Sequence, residues 1–178
     1  MSTQPKPITK DNNNSSILLA NDNWKVDYSK AKKVVSPNYK TGRPVPIRGL
    51  VLHGTAGGGT IEWFLNPASK VSSHYVVEQD GKVTQMVSET DVAWHAGVVS
   101  PTSILADKGN PNSFCIGIEF SRNKTNDNIM PDAQILSGLD LVNDIRGRYP
   151  HIQIYFHDEI SIGRICPGPN FPKTLFRT

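Results

Sequence analysis

No stretch of this sequence approaches the roughly 18–20 consecutive apolar residues that a membrane-spanning helix requires, so membrane insertion is not its working mode. The N-terminal segment MSTQPKPITKDNNNSSILLANDN offers only SILLA where a secretory signal needs about 7–15 apolar residues. The expectation is a protein that is made and kept in the cytosol unless another agent releases it. Cysteine is scarce as well: Cys115 and Cys166 are the only two in 178 residues. That excludes a disulfide scaffold, and in a cytosolic chain such cysteines are free, metal-bound or catalytic. The aromatic-plus-basic pattern of a nucleic-acid-binding module is also missing, so nucleic acid is not an expected partner.

What is present fits one soluble domain, with 37% apolar and 20% charged residues. The charge is uneven. Residues 1–48 carry nine Lys/Arg and three Asp, a charge of +6, which leaves −3 on the remainder of a chain of net +3. Residues 1–35 are read as a flexible, basic N-terminal arm and 36–178 as the folded domain. The arm is suited to an anionic polymer such as a cell wall, or serves only as a solubilising tail. Residues 1–23 are Asn/Ser/Asp-rich and aperiodic, which predicts disorder, while Trp24, Val26 and Tyr28 are candidates to pack on the body.

From Pro46 the pattern becomes regular. PIRGLVLH reads as a strand, and GTIEWFLNP as a short helix with Thr60 as N-cap and Pro67 as its stop. SSHYVVEQDGKVTQMV reads as a hairpin turning on the two residues Asp80-Gly81. SFCIGIEFS reads as a central strand. PDAQILSGLDLVNDIRGRYP reads as a helix capped by Asp132, with an apolar face of Ile135, Leu136, Leu139, Leu141, Val142 and Ile145. HIQIYFH is a last strand before a Gly/Pro-rich loop. This order predicts an α/β domain with a central mixed β-sheet flanked by helices.

His53 and His157 each close a strand, and Cys166 follows His157 by nine positions in GRICPGP. Two imidazoles and a thiolate form a good tetrahedral zinc set with one position left for water, which is a catalytic arrangement. The competing reading is two polar strand-end histidines and a structural cysteine. Glu119 lies in the apolar run CIGIEF, where a carboxylate is costly unless it has a role or a partner. Desolvation raises its pKa toward neutrality, which suits a general base. Alternatively it sits at an exposed strand end beside a cation.

The motifs VLHGTAG, SSHYVVEQDGKVTQMV, AWHAG, NSFCIGIEF and HDEISIGRICPGPNF occur in an order that resembles the zinc-dependent N-acetylmuramoyl-L-alanine amidases. That family includes phage lytic amidases, the amidase that recycles anhydro-muropeptides, and the peptidoglycan recognition proteins. The resemblance runs over residues 36–172 and implies the fold of that family. It makes His53, His157 and Cys166 the zinc ligands and Glu119 the catalytic base, and it places Trp94 and His95 along the substrate groove. At the third ligand position the recycling branch usually has Asp, and the phage and recognition branches usually have Cys, as here. Two positions depart from the pattern. Ser73 occupies the position of the phage catalytic tyrosine, and Tyr75, two residues on, is displaced by about 7 Å along the strand; both are kept as candidate substrate contacts. Arg164 stands where members often carry lysine, and it can stabilise negative charge but not donate a proton.

The implied reaction is hydrolysis of the amide between the lactyl group of N-acetylmuramic acid and L-alanine of the stem peptide. Trp63, Trp94 and Tyr75 are candidates for sugar or peptide contact, with core packing the competing and favoured reading for each. Cys115 is read as a buried thiol, His74 as structural and His151 as a surface residue. Rival readings are a non-catalytic peptidoglycan-binding module and a cysteine hydrolase with Cys166 as nucleophile and His157 as base. For the biological setting, the basic arm favours a phage or prophage endolysin, stored in the cytosol and released to the wall through a holin-type opening. The alternative is a cytosolic recycling amidase.

Overall fold

The computed structural model describes residues 23–122 and 129–178. The strand expected around GLVLH is β3, Gly49–Gly54, buried along its whole length. The numbering counts two short strands before it, β1 (Lys32–Lys33) and β2 (Tyr39–Lys40). A strand covered on both faces has to be apolar along its run, and β3 carries its one ionisable side chain, His53, near its end. After the short helix α1 (Thr60–Leu65) comes a hairpin of β4 (Tyr75–Val77) and β5 (Val83–Gln85). The strand β6 (Val92–Ala93) pairs with β2 in a small separate ladder that the sequence does not announce. The central strand is β7, Cys115–Phe120, parallel to both β3 and β4 and with His53 opposite Glu119. The long helix α2 (Asp132–Arg148) leads to β8 (Gln153–Phe156), parallel to β3 with Phe156 opposite Leu52. The sheet order β1-β5-β4-β7-β3-β8 is the mixed α/β sheet expected.

Side-chain alternation divides the sheet into two faces. Leu50, Leu52, Ile116, Ile118, Phe120 and Phe156 join Leu141, Val142 and Ile145 of α2 in the main core. Val51 and Cys115 point the other way, into a smaller cluster with Phe114 and Ile160. His53 and Glu119 lie on the Val51 face, away from α2. The helix comes close to the sheet at Gly138, where a Cβ would stand 2.5 Å from the Phe120 ring.

Several local expectations are corrected. Gly59, at φ 76°, occupies the cap position of α1, because the left-handed backbone there suits glycine. Thr60 is instead the first helical residue, and its hydroxyl is bonded to the Ser121 hydroxyl at 3.2 Å. The hairpin loop has three residues, since the Glu78 N–H donates to the Lys82 carbonyl at 2.9 Å and Gly81 is left-handed at φ 84°. In α2 the cap position is Pro131, Leu136 is 66% exposed, and Gln134 and Gly138 are buried. The Gln134 amide donates to the carbonyls of Val77 and Ser121 at 2.9 and 2.8 Å, which makes a buried position right for a polar residue. His157 lies one residue past β8 and opens a one-turn helix, α3 (His157–Ile160). A final helix, α4 (Lys173–Arg177), follows.

The disorder expected for residues 1–22 falls outside the described residues. Residues 24–35 are not an arm. Tyr28 is 3% exposed, and β1 extends the sheet edge beside β5. Asp27 and Gln85 exchange hydrogen bonds at 2.7 and 2.6 Å. A boundary at residue 35 therefore cuts through a docked segment. Among the described residues no helix is long and apolar enough to cross a membrane.

Candidate active site

The parallel strands β7, β3 and β8 end at the same edge of the sheet, where open α/β sheets place their ligands. His53 on β3 and His157 just past β8 are 2% and 7% exposed, and their Nδ1 atoms stand 3.0 Å apart. Cys166 Sγ lies 3.9 Å from His53 Nδ1, and one donor atom from each of the three residues falls within 4.8 Å of the others. The Cys166 loop is fixed from both sides. The Asp158 N–H donates to the Cys166 carbonyl and Arg122 Nη1 to the Pro167 carbonyl, both at 2.7 Å. The Gly54 N–H points at the sulfur from 3.4 Å, a contact that favours thiolate.

Glu119 projects from β7 beside this cluster, with Oε2 3.8 Å from His53 Nδ1. Burial, followed by the neighbouring His157, His95 and Arg164, holds His53 well below the usual histidine range. Burial and Arg164 lower His157 too. Both imidazoles are therefore neutral, and the approach to Glu119 is a polar contact rather than an ion pair. Burial alone pushes Glu119 up to about 8. Burial first and Glu119 second push the Cys166 thiol to about 12. A thiol displaced in that direction is a poor nucleophile, which argues against the cysteine-hydrolase reading.

The donor set fits a zinc ion. Neutral imidazoles and a sulfur that can be deprotonated are zinc's preferred ligands, and three of them leave a position open. His157 Nε2 lies 3.2 Å from the Ala96 carbonyl, an obligate acceptor, so the ring proton belongs on Nε2 and the Nδ1 lone pair faces the cluster.

These groups line a cleft of about 520 Å³, within the size range of small-molecule sites. Trp63, 55% exposed, and half-buried Trp94 also line it, as do Arg164 and His95. Ser73 and Tyr75 do not. Both are wholly buried, and Tyr75, opposite Ile118 on β4, turns into the α2-facing core, where its hydroxyl donates to Glu89 at 2.7 Å. Alternation along β4 thus removes Tyr75 from the cleft as a substrate contact. Cys115 is a buried free thiol, His74 a buried residue accepting the Gly117 N–H at 3.0 Å, and His151 exposed. Sequence reasoning missed Asn112, Gly117 and Arg122, which hold the site's loops. The one available signal was the glycine of CIGIEF, two residues before the partly buried carboxylate.

Comparison with known proteins agrees with this geometry. The profile of the N-acetylmuramoyl-L-alanine amidase family matches residues 42–169. The 1,6-anhydro-N-acetylmuramyl-L-alanine amidase AmpD of Haemophilus influenzae is 34% identical over 165 residues, spanning 79% of this chain and 86% of its own. A crystal structure of a selenomethionine derivative of AmpD matches with a TM-score of 0.71 at 29% identity, over 84% of this chain and 93% of that one. The N-acetylmuramyl-L-alanine amidase AmiD of E. coli, solved with anhydro-N-acetylmuramic acid-L-Ala-D-γ-Glu-L-Lys, matches with a TM-score of 0.59 at 26% identity, over 88% of this chain and 63% of that one. With the matched profile covering both histidines, the glutamate and the cysteine of the cleft, the chain belongs to the N-acetylmuramoyl-L-alanine amidase family.

Proposed function

We propose that the chain hydrolyses the amide between N-acetylmuramic acid and L-alanine in soluble anhydro-muropeptides, with zinc held by His53, His157 and Cys166. The observation that carries this reading is the convergence of those three donors beside the desolvated Glu119 on the floor of an open cleft. When bound, zinc supplies a Lewis acid that polarises the amide carbonyl and makes water more acidic. Glu119, in its carboxylate form, takes a proton from the attacking water and delivers it to the alanine nitrogen as the C–N bond breaks. Arg164, at the rim, offers a permanent charge to the carbonyl oxygen as it becomes negative, without exchanging a proton. Trp63 and Trp94 present aromatic surface to the sugar or the stem peptide.

The endolysin expectation gives way to the recycling alternative. It rested on the basic charge of residues 1–48, yet Arg43, beyond the arm, is turned inward to the carbonyls of Glu89, Asn112 and Cys115. Lys30 pairs with Asp140 at 2.6 Å, and Lys33 lies over the Trp24 ring. The relatives support the same preference: AmpD is named for anhydro-muramyl substrates and matches over nearly its full length. Mass spectrometry of products from a soluble anhydro-muropeptide and from intact sacculi tests the proposal. The expected result is release of the L-alanyl peptide from the soluble substrate, abolished by chelator, restored by zinc and much slower on sacculi. Cleavage of another bond, or insensitivity to chelator, overturns it. Equal rates on the two substrates bring back the lytic role.

A further inference from the structure

His95 lines the cleft, but its ring is committed elsewhere. Its Nδ1 stands 3.1 Å from His53 Nε2. The ring packs against β7 at Gly117, where a Cβ would come within 2.5 Å of His95 Cγ, so only glycine leaves room for it. Gly117 and Glu119 are two residues apart on one strand and share a face, which puts His95 beside Glu119 and against the ligand opposite it. The backbone here is clamped as well. The side-chain oxygen of Asn112 accepts the N–H groups of His95 at 3.1 Å and Ala96 at 2.8 Å. Ala96 in turn presents its carbonyl to His157 Nε2. One three-residue segment, Trp94–Ala96, therefore reaches the outer nitrogen of both histidines.

We infer that His95 is a positioning residue that accepts a hydrogen bond from His53 Nε2–H and so keeps the Nδ1 lone pair of His53 turned toward the metal position. The inference rests on the zinc reading above and redirects His95 from substrate contact to ligand orientation. A neutral imidazole has one N–H and one lone pair. If Nδ1 of His53 is to donate its lone pair, the proton must sit on Nε2, and His95 Nδ1 is the hydrogen-bond partner the structure gives that nitrogen. Hydrogen bonds of this type fix ring orientation and tautomer, and their loss typically lowers metal affinity about 10- to 100-fold. His157 obtains the same service from a backbone carbonyl, which mutation of a side chain cannot remove. The two ligands therefore differ in how they can be perturbed.

The test compares wild type with His95→Ala, His95→Asn and His95→Gln, using zinc affinity from competition with a chelating dye and thermal melting of each metal-free protein to confirm folding. The Asn side chain places its amide oxygen where His95 Nδ1 stands, whereas Gln places its amide near the position of Nε2. The expected order is therefore an affinity loss of about 10- to 100-fold for Ala and Gln, with recovery of most of it by Asn. In the zinc-loaded wild type, nitrogen-15 NMR should show a His53 Nε2–H coupled through the hydrogen bond to His95 Nδ1. Unchanged affinity in His95→Ala overturns the inference, as does a folded His95→Asn no better than Ala, or a His53 proton on Nδ1. Wild type that binds no zinc at all overturns the metal reading itself, and does so before any variant is made.

Discussion

A single carboxylate, Glu119, shows what the site demands of the chain. Its folded-state pKa of about 8 lies above the ordinary value of 4.5, so the folded protein holds this proton through the interval in which the unfolded chain has lost it. The sign follows: between those values the metal-free protein loses stability as pH rises, and above about 8 the loss is complete. Glu119→Gln removes the ionisable group. It should therefore stabilise the metal-free protein by about 1–3 kcal/mol at pH 8 and by much less at pH 5, read from melting temperatures at both pH values. The same variant should lose about 10²–10⁴-fold in amide hydrolysis if Glu119 is the base. A variant with unchanged stability at pH 8 would show that the carboxylate is solvated. At this scale the sequence was informative where chemistry is expensive: a glutamate inside CIGIEF and a histidine after GLVL are costly to bury and so conspicuous. It was uninformative where burial is cheap. In one dimension Tyr75 is open to either a cleft or a core placement, and the pairing of β4 with β7 decides for the core.

Elements were legible by their period and misread at their ends. The central strands were recognisable because an apolar run of five or six residues has few alternatives. The caps were not, since Thr60 and Asp132 are good cap types that the backbone places one position inside their helices. The hairpin is the clearest case. Asp80-Gly81 signals a turn but not its length, and the three-residue loop is set by the register of Val77 with Val83. That register makes Gly81 a point of tight contact between the loop and α2. A Cβ there would stand 2.8 Å from the Ala133 carbonyl oxygen, on a residue already at φ 84°. Gly81→Ala is expected to cost about 1–3 kcal/mol, seen as a lower denaturant midpoint with an unchanged slope. A shift within error would mean that the loop relaxes freely away from the helix. The stripe of α2 was misjudged because Gln134 and Gly138 do not look like core residues. One is buried for its hydrogen bonds and the other for its lack of a side chain.

Across the whole molecule, the segment that was read as a loose arm is part of the fold's fastening. Glu89, 1% exposed, accepts from the hydroxyls of Tyr75 and Tyr149 and from Arg148, while its own N–H donates to Asp27 at 3.0 Å. Arg43 Nε reaches the Glu89 carbonyl at 2.6 Å. Residues from the N-terminal segment, the hairpin, its following loop and α2 thus meet at one buried glutamate, the first through its backbone and Tyr75 and Arg148 through its carboxylate. Removing residues 1–35 is expected to lower the melting temperature by 5 °C or more, on the order of 1–2 kcal/mol for a domain of this size. An unchanged melting temperature would show that the docked segment adds nothing. This fastening was invisible in the sequence because its partners are dozens of residues apart.

The placement of the indole rings has a practical consequence. Of three tryptophans, Trp63 and Trp94 border the cleft, while Trp24 lies under Lys33. The protein is in effect labelled at its own doorway: a saccharide or peptide entering there displaces water from two of its three intrinsic fluorophores. Occupancy can be followed by emission colour and quenching, without attaching a dye.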